Sequence, residues 1–200
     1  MIVNGNPIKF IYASGPESFK YSDFDIDRPI VIDNTGVWRD EADLSNHLET
    51  GADKVVLTAP AKGDIKNIVF GVNEEILDDK DQIISAASCT TNCLAPVANV
   101  LNNNFHIKQG FMTTIHAFTS DQRILDNSHK DPRRARSASQ SIVPTSTGAS
   151  KTIGEIIPSL KGKLEGVAMR VPTPNVSLIE LIFCTKKDLD NEKINSAFEN

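Results

Sequence analysis

Residues 29–58 constrain this chain most, because two apolar runs there flank a stretch of helical period. Residues 29–33 (Pro-Ile-Val-Ile-Asp) and 54–58 (Lys-Val-Val-Leu-Thr) are strand-sized and β-branched, closed by Thr35-Gly36 and Ala59-Pro60. Between them Ala42, Leu44 and Leu48 recur at helical spacing over residues 41–50, with Gly51 as the stop. A strand that returns through a helix lies parallel to the first, and strands this apolar need cover. The expectation is an α/β unit, with further short strands at 67–70 and 82–85 and a hairpin in residues 1–12 around Asn4-Gly5-Asn6-Pro7.

The texture changes after Ser88. Residues 90–101 fit a helix with Leu94, Val97, Ala98 and Leu101 on one side, and Pro96 is expected to bend or shorten its first turns. Residues 110–119 read as strand. Residues 121–141 are polar, rich in arginine, and read as a loop with short helical pieces. A helix over 148–157 ends before Pro158. Strands follow at 166–171 and 176–185, the second long enough for an antiparallel sheet. Asn191 is placed to cap a last helix with Ile194, Ala197 and Phe198 facing inward.

Composition narrows the function classes. A formal charge of −5 argues against a dedicated nucleic-acid binder. The longest apolar runs fall short of the ~20 residues that span a bilayer, and the first seven residues lack the pattern of a signal peptide. Three unevenly spaced cysteines make no disulfide framework and suit a reduced, cytoplasmic setting.

The densest chemistry is Ser88-Cys89-Thr90-Thr91-Asn92-Cys93. Cys89 falls between a strand and a helix, where free N–H groups and the helix dipole favour the reactive thiolate. Ser88 or Thr90 can cap that helix. Cys93, one turn on, reads as an inward packing residue, as does Cys184 in its strand. His116, 27 residues after Cys89, is a candidate base, although spacing alone does not bring the two together. Cys89, Cys93 and His116 can also be read as three zinc ligands, without a fourth at a usual spacing. His47, His106 and His129 lie in polar stretches and read as solvated. Arg133, Arg134 and Arg136 form a run that is ordinarily a solvated face. Arg170 differs: inside an apolar strand it calls for an anionic partner.

Residues 87–96 (Ala-Ser-Cys-Thr-Thr-Asn-Cys-Leu-Ala-Pro) are similar to the active-site signature of glyceraldehyde-3-phosphate dehydrogenases. Met112-Thr113-Thr114-Ile115-His116 resembles the segment bearing that family's activating histidine, and residues 132–136 (Pro-Arg-Arg-Ala-Arg) its arginine-bearing loop. Residues 144–151 and 169–177 match further family blocks. Upstream, Asn34-Thr35-Gly36, Thr58-Ala59-Pro60 and Gly71-Val72-Asn73 fit the later strands of its cofactor domain. The likeness runs in order from about Pro29 to the last residue.

The resemblance implies the C-terminal part of a Rossmann-type NAD-binding domain over residues 1–88, followed by an α+β catalytic domain with a mostly antiparallel sheet over 89–200. Both would be truncated: the glycine-rich first βαβ unit would precede Met1, and further strands would follow Asn200. It implies Cys89 as nucleophile and His116 as base. Thr119, Asp121 and Arg170 would hold the substrate phosphate. Ser88, Thr90, Thr147, Gly148 and Arg134, with Arg133 beside them, would surround inorganic phosphate. Thr35, Gly36, Thr58 and Ser120 would contact NAD, Ser120 standing where many members carry asparagine. No metal is implied. The implied reaction is oxidative phosphorylation of glyceraldehyde 3-phosphate by a cytoplasmic homotetramer. The alternatives are a related enzyme acting on erythrose 4-phosphate, and a non-catalytic remnant or interaction module. Without the glycine turn, this chain alone is expected to be nearly inactive with NAD.

Overall fold

Strand β3 (Ile30–Asp33), helix α1 (Glu41–Glu49) and strand β4 (Lys54–Leu57) form where period and punctuation place them, in a computed structural model that describes residues 1–199. Asp40 caps α1 by accepting from the Asp43 N–H at 3.1 Å. A hairpin of β1 (Ile2–Val3) and β2 (Asn6–Pro7) precedes them, and β5 (Ile83–Ser85) joins the sheet in the order β3-β4-β5, all parallel. Alternation puts Val31 and Asp33 on one face of β3, and Val55 and Leu57 on the same side of β4. Leu44 of α1 closes over them, making a small core of Leu44, Val55, Leu57 and Ile65. Ile30 and Ile32 on the other face are each 65% exposed.

The chain divides into two units, one of residues 1–66 and 77–86, the other of residues 67–76 and from 87 onward. A single boundary after residue 88 does not anticipate that residues 67–76 cluster with the second unit. Nor are residues 67–70 a strand. The buried Asn73 side chain accepts from the Val69 N–H at 2.8 Å and donates to the Asn67 carbonyl at 3.0 Å, taking two of the backbone groups a strand would pair.

In the second unit α2 (Cys89–Phe105) is longer than expected and continues through Pro96. It leads into β6 (Ile107–Ala117), the centre of a four-stranded sheet. The other elements are β7 (Val143–Ser146), α3 (Ala149–Ile156), β8 (Leu164–Val171), β9 (Ser177–Thr185) and α4 (Asn191–Glu199). Strand order is β7-β8-β6-β9, with β6 and β8 parallel and the other two pairings antiparallel. Strand β7 was not expected from the sequence, and it contains Pro144. As an edge strand it tolerates a proline. The core joins Leu94, Ala95, Ala98 and Leu101 of α2 to Ile107 and Met112 of β6 and Ile153 and Ile156 of α3. At α4 the cap is Asp190, not Asn191: its carboxylate accepts from the Lys193 N–H at 2.8 Å. Ile194 and Ala197 pack on the core, while Phe198 is 46% exposed.

Candidate active site

The turn into α2 is unusual at Ala87, a buried non-glycine residue at φ 57°. Such a left-handed alanine costs roughly 1–3 kcal/mol and persists where its surroundings impose it. Ser88 then caps α2: its Oγ accepts from the Thr91 N–H at 3.1 Å and lies 2.7 Å from Thr91 Oγ1. Cys89 is therefore the first residue of the helix, exposed, beside N–H groups that have no intrahelical acceptor.

His116 sits near the end of β6, paired with Arg170 on β8 and Ser177 on β9. The next turn of chain is held by a hydrogen bond from the Ala117 N–H to the carbonyl of Val176 at 3.1 Å. His116 Nε2 is 3.4 Å from Cys89 Sγ. On the far side of the ring, Nδ1 is 2.6 Å from the Ala117 carbonyl oxygen. One guanidinium nitrogen of Arg170 lies 2.8 Å from Nδ1 and donates to the same carbonyl at 3.0 Å. Arg170 Nε is buried with no hydrogen-bond partner. Burial pushes the Arg170 guanidinium below its usual value; Cys89 and Asp121 oppose this and Arg134 adds to it.

A second group lies within electrostatic reach of Arg170. Arg134 binds the Asp121 carboxylate and donates from Nε to Thr145 Oγ1 at 2.6 Å. Gln122, 2% exposed, accepts from the N–H of Thr119 at 3.0 Å and donates to Asp121 at 3.1 Å. Arg133 instead turns to Asp131, donating to it at 3.1 and 3.0 Å, and holds that carboxyl below the usual range. Thr147 Oγ1 accepts from the Ala149 N–H at 3.2 Å, and Gly148 is the N-cap of α3. Thr90 faces inward, 7% exposed. Gln122 and Thr145 were missed in the sequence: nothing near them in the chain distinguishes them from other polar residues.

Three expectations about side-chain direction are corrected. Cys93 and Cys184 are exposed rather than buried. Cys93 follows Cys89 by one helical turn and shares its open face, while the core takes Leu94 and Ala98. Cys184 alternates with Phe183, which packs inward. His47 is 8% exposed rather than solvated, one turn after the fully buried Leu44. Among the described residues no three His, Cys, Asp or Glu side chains gather as metal ligands, and no helix is long and apolar enough to cross a membrane.

In the first unit, Thr35 donates from its N–H and hydroxyl to Asp33 Oδ1 at 2.9 and 2.7 Å. Gly36 follows at φ 70°, with open space where a Cβ would stand. Thr58 donates from its N–H and hydroxyl to the Asp33 carbonyl at 2.9 and 3.2 Å. Ser120, in the second unit, is exposed.

Comparison with known proteins matches residues 88–200 to the glyceraldehyde 3-phosphate dehydrogenase C-terminal domain. The chain is 48% identical over 200 residues to glyceraldehyde-3-phosphate dehydrogenase 2 of Bacillus subtilis, covering 100% of this chain and 58% of that protein. It is 50% identical over 200 residues to the glyceraldehyde-3-phosphate dehydrogenase of Clostridium acetobutylicum, covering 99% of this chain and 59% of that protein. Against the chloroplastic glyceraldehyde-3-phosphate dehydrogenase A of Scenedesmus vacuolatus it is 50% identical over 198 residues, covering 98% and 62%. The chain thus spans about three fifths of the length of these relatives.

Proposed function

Since this chain belongs to the glyceraldehyde 3-phosphate dehydrogenase family, we propose that it carries the thiol half of an NAD-dependent, phosphorylating aldehyde dehydrogenase. The observation that carries the proposal is the 3.4 Å approach of His116 Nε2 to a thiol at a helix N-terminus.

Cys89 loses its proton to His116 Nε2 and adds to the aldehyde carbon of glyceraldehyde 3-phosphate. His116 keeps its Nδ1 proton toward the Ala117 carbonyl, so Nε2 is the nitrogen free to accept. The resulting Nε2–H then faces the adduct's oxyanion and stabilises it. Arg170, with a buried Nε lacking a partner, fits the substrate's phosphate group, with Asp121 within its electrostatic reach and Thr119 two residues before Asp121. Oxidation leaves a thioester on Cys89. Inorganic phosphate, held by Arg134 and the N-terminus of α3 at Thr147 and Gly148, attacks its carbonyl carbon. The carbon–sulfur bond breaks, Cys89 leaves as thiolate, and the product is the acyl phosphate 1,3-bisphosphoglycerate.

NAD, when bound, supplies the acceptor for the hydride that oxidation releases. Thr35, Gly36 and Thr58 fit part of such a group. Gly36 leaves room for close approach, and one residue, Asp33, orders both threonines, Thr35 through its carboxylate and Thr58 through its backbone carbonyl. Ser120 is a further proposed contact. The family's homotetramer is also proposed, and supported by an exposed apolar sheet face. Phe111 pairs with Ile182 and Ile115 with Leu178 across β6 and β9, all 42–66% exposed. A cytoplasmic setting completes the proposal.

The test is alkylation of Cys89 by iodoacetamide, read by peptide mapping, beside acylation by a simple activated ester. His116→Asn is expected to slow both at Cys89 by about 100-fold at neutral pH and to leave Cys93 and Cys184 unchanged. Equal rates at Cys89 with and without the imidazole would overturn the proposal. Protection of Cys89 from iodoacetamide by glyceraldehyde 3-phosphate or by erythrose 4-phosphate, through reversible addition of the thiol to the aldehyde and without NAD, decides between the two aldehydes.

A further inference from the structure

Tyr21, His47 and Asp33 form a chain of side chains that the thioester chemistry does not use. Asp33 is 3% exposed and His47 8%. The Tyr21 hydroxyl lies 2.9 Å from His47 Nδ1. His47 Nε2 lies 3.5 Å from Asp33 Oδ2, and neither atom has a hydrogen-bond partner. Two buried, unpaired groups of opposite character thus face each other at the end of β3.

The direction of the chain follows from its chemistry. Burial, and then the charge of Asp33, push the Tyr21 phenol above its usual value, so the phenol is a donor. Its proton points to Nδ1. A neutral imidazole that accepts there carries its own proton on Nε2, aimed at Asp33 Oδ2. The backbone of Tyr21 is itself fixed, its N–H donating to the Thr50 carbonyl at 3.2 Å just after α1. Trp38 stands edge-on to the imidazole, its ring 6.2 Å away, and limits its rotation.

Asp33 is the hub of the proposed cofactor cradle. Its Oδ1 takes both donors of Thr35, and its carbonyl oxygen takes both donors of Thr58. A carboxylate turned part-way about its Cβ–Cγ bond would aim neither oxygen at Thr35 and would lose both of its donors. We infer that His47, oriented by Tyr21, is a positioning residue that fixes the Asp33 carboxylate so that Thr35, and Gly36 after it, are held ready for the cofactor. The cofactor part of this inference rests on the function proposed above.

The test uses the full chain, with hydrogen exchange at the Thr35 amide measured against the Val55 amide, which donates to the Gln82 carbonyl just before β5 of the same sheet. His47→Phe keeps the volume and removes the donor. Exchange at Thr35 is expected to rise about tenfold, the worth of one such hydrogen bond, with Val55 unmoved. His47→Gln, which can still donate to Oδ2, is expected to restore most of the protection. NAD titration, followed at the Gly36 amide, is expected to weaken about tenfold in His47→Phe and to recover in His47→Gln. Unchanged exchange at Thr35 in His47→Phe would overturn the inference, as would a parallel rise at Thr35 and Val55, which marks general loosening. Absence of any NAD response in the unsubstituted chain would count against the cofactor role alone, since the exchange comparison still judges the positioning.

Discussion

The two places where this chain presents chemistry are held by different forces. Cys89 and His116 stand on α2 and β6, which are locked together by Leu94, Ala98, Leu101, Ile107 and Met112. Apolar packing sets their distance. Thr35 and Thr58 in the first unit follow two loop-side strand ends, and one buried carboxyl residue, Asp33, sets their place through four donated hydrogen bonds. The small core beneath it has only Leu44, Val55, Leu57 and Ile65 fully packed. A site held by packing fails when a cavity opens; a site held by polar hubs fails when one acceptor changes.

The sharpest way to break this contrast is a cavity. Leu94→Ala, at 2% exposure, is expected to lower the stability of the second unit by about 2–5 kcal/mol. Denaturant unfolding measures this, and Cys89 labelling should lose its selectivity with it. A well-folded variant with unchanged labelling would mean that the turn at Ala87, rather than the core, positions the thiol. Next in size is Asp33→Asn. An amide NH₂ would then oppose either a donor on Thr35 or the His47 Nε2–H, costing about 1–3 kcal/mol and loosening the Thr35 amide while leaving Cys89 chemistry intact. Loss at both places would end the distinction between them.

Ser88→Ala removes the acceptor for the Thr91 N–H and is expected to cost about 1 kcal/mol, measured by thermal unfolding. It should slow Cys89 alkylation only slightly, because the other N–H groups of the first turn remain. The smallest effect belongs to alkali. The folded-state value of Tyr21 is raised from about 10, so its contribution is full below that pH and is lost as pH rises through the higher folded value. The first unit should therefore weaken in a window beginning near pH 10, and Tyr21→Phe should remove that part of the slope, read by circular dichroism across the titration.

Much of this was legible because its causes are local. Strands β3 and β4 and helix α1 announce themselves by period, and α1 begins and ends at Asp40 and Gly51. The helix N-terminus at Cys89 follows from a strand run meeting a helical run, with Ser88 as cap. Errors fell where the cause is distant. Residues 67–70 look like a strand until the Asn73 side chain takes two of their backbone groups. Strand β7 forms only because β8 supplies its partner, Met169 opposite Pro144. His47 reads as solvated in a polar helix, although its place one turn after Leu44 was a signal that it shares the inward face.

By itself the sequence determined the order of elements, the place of Cys89 at a helix N-terminus, and the family, because each depends on residues close in the chain or on long matching blocks. The tertiary structure alone decided which sides are open and which groups meet. The pairing of β6 with β8 sets His116 opposite Arg170, 54 residues later. The docking of α2 leaves Cys93 outside. The closure of α1 over β3 brings His47 to Asp33. A hydrogen bond or a buried face depends on positions to a fraction of an ångström, and long-range packing, not local propensity, sets those positions.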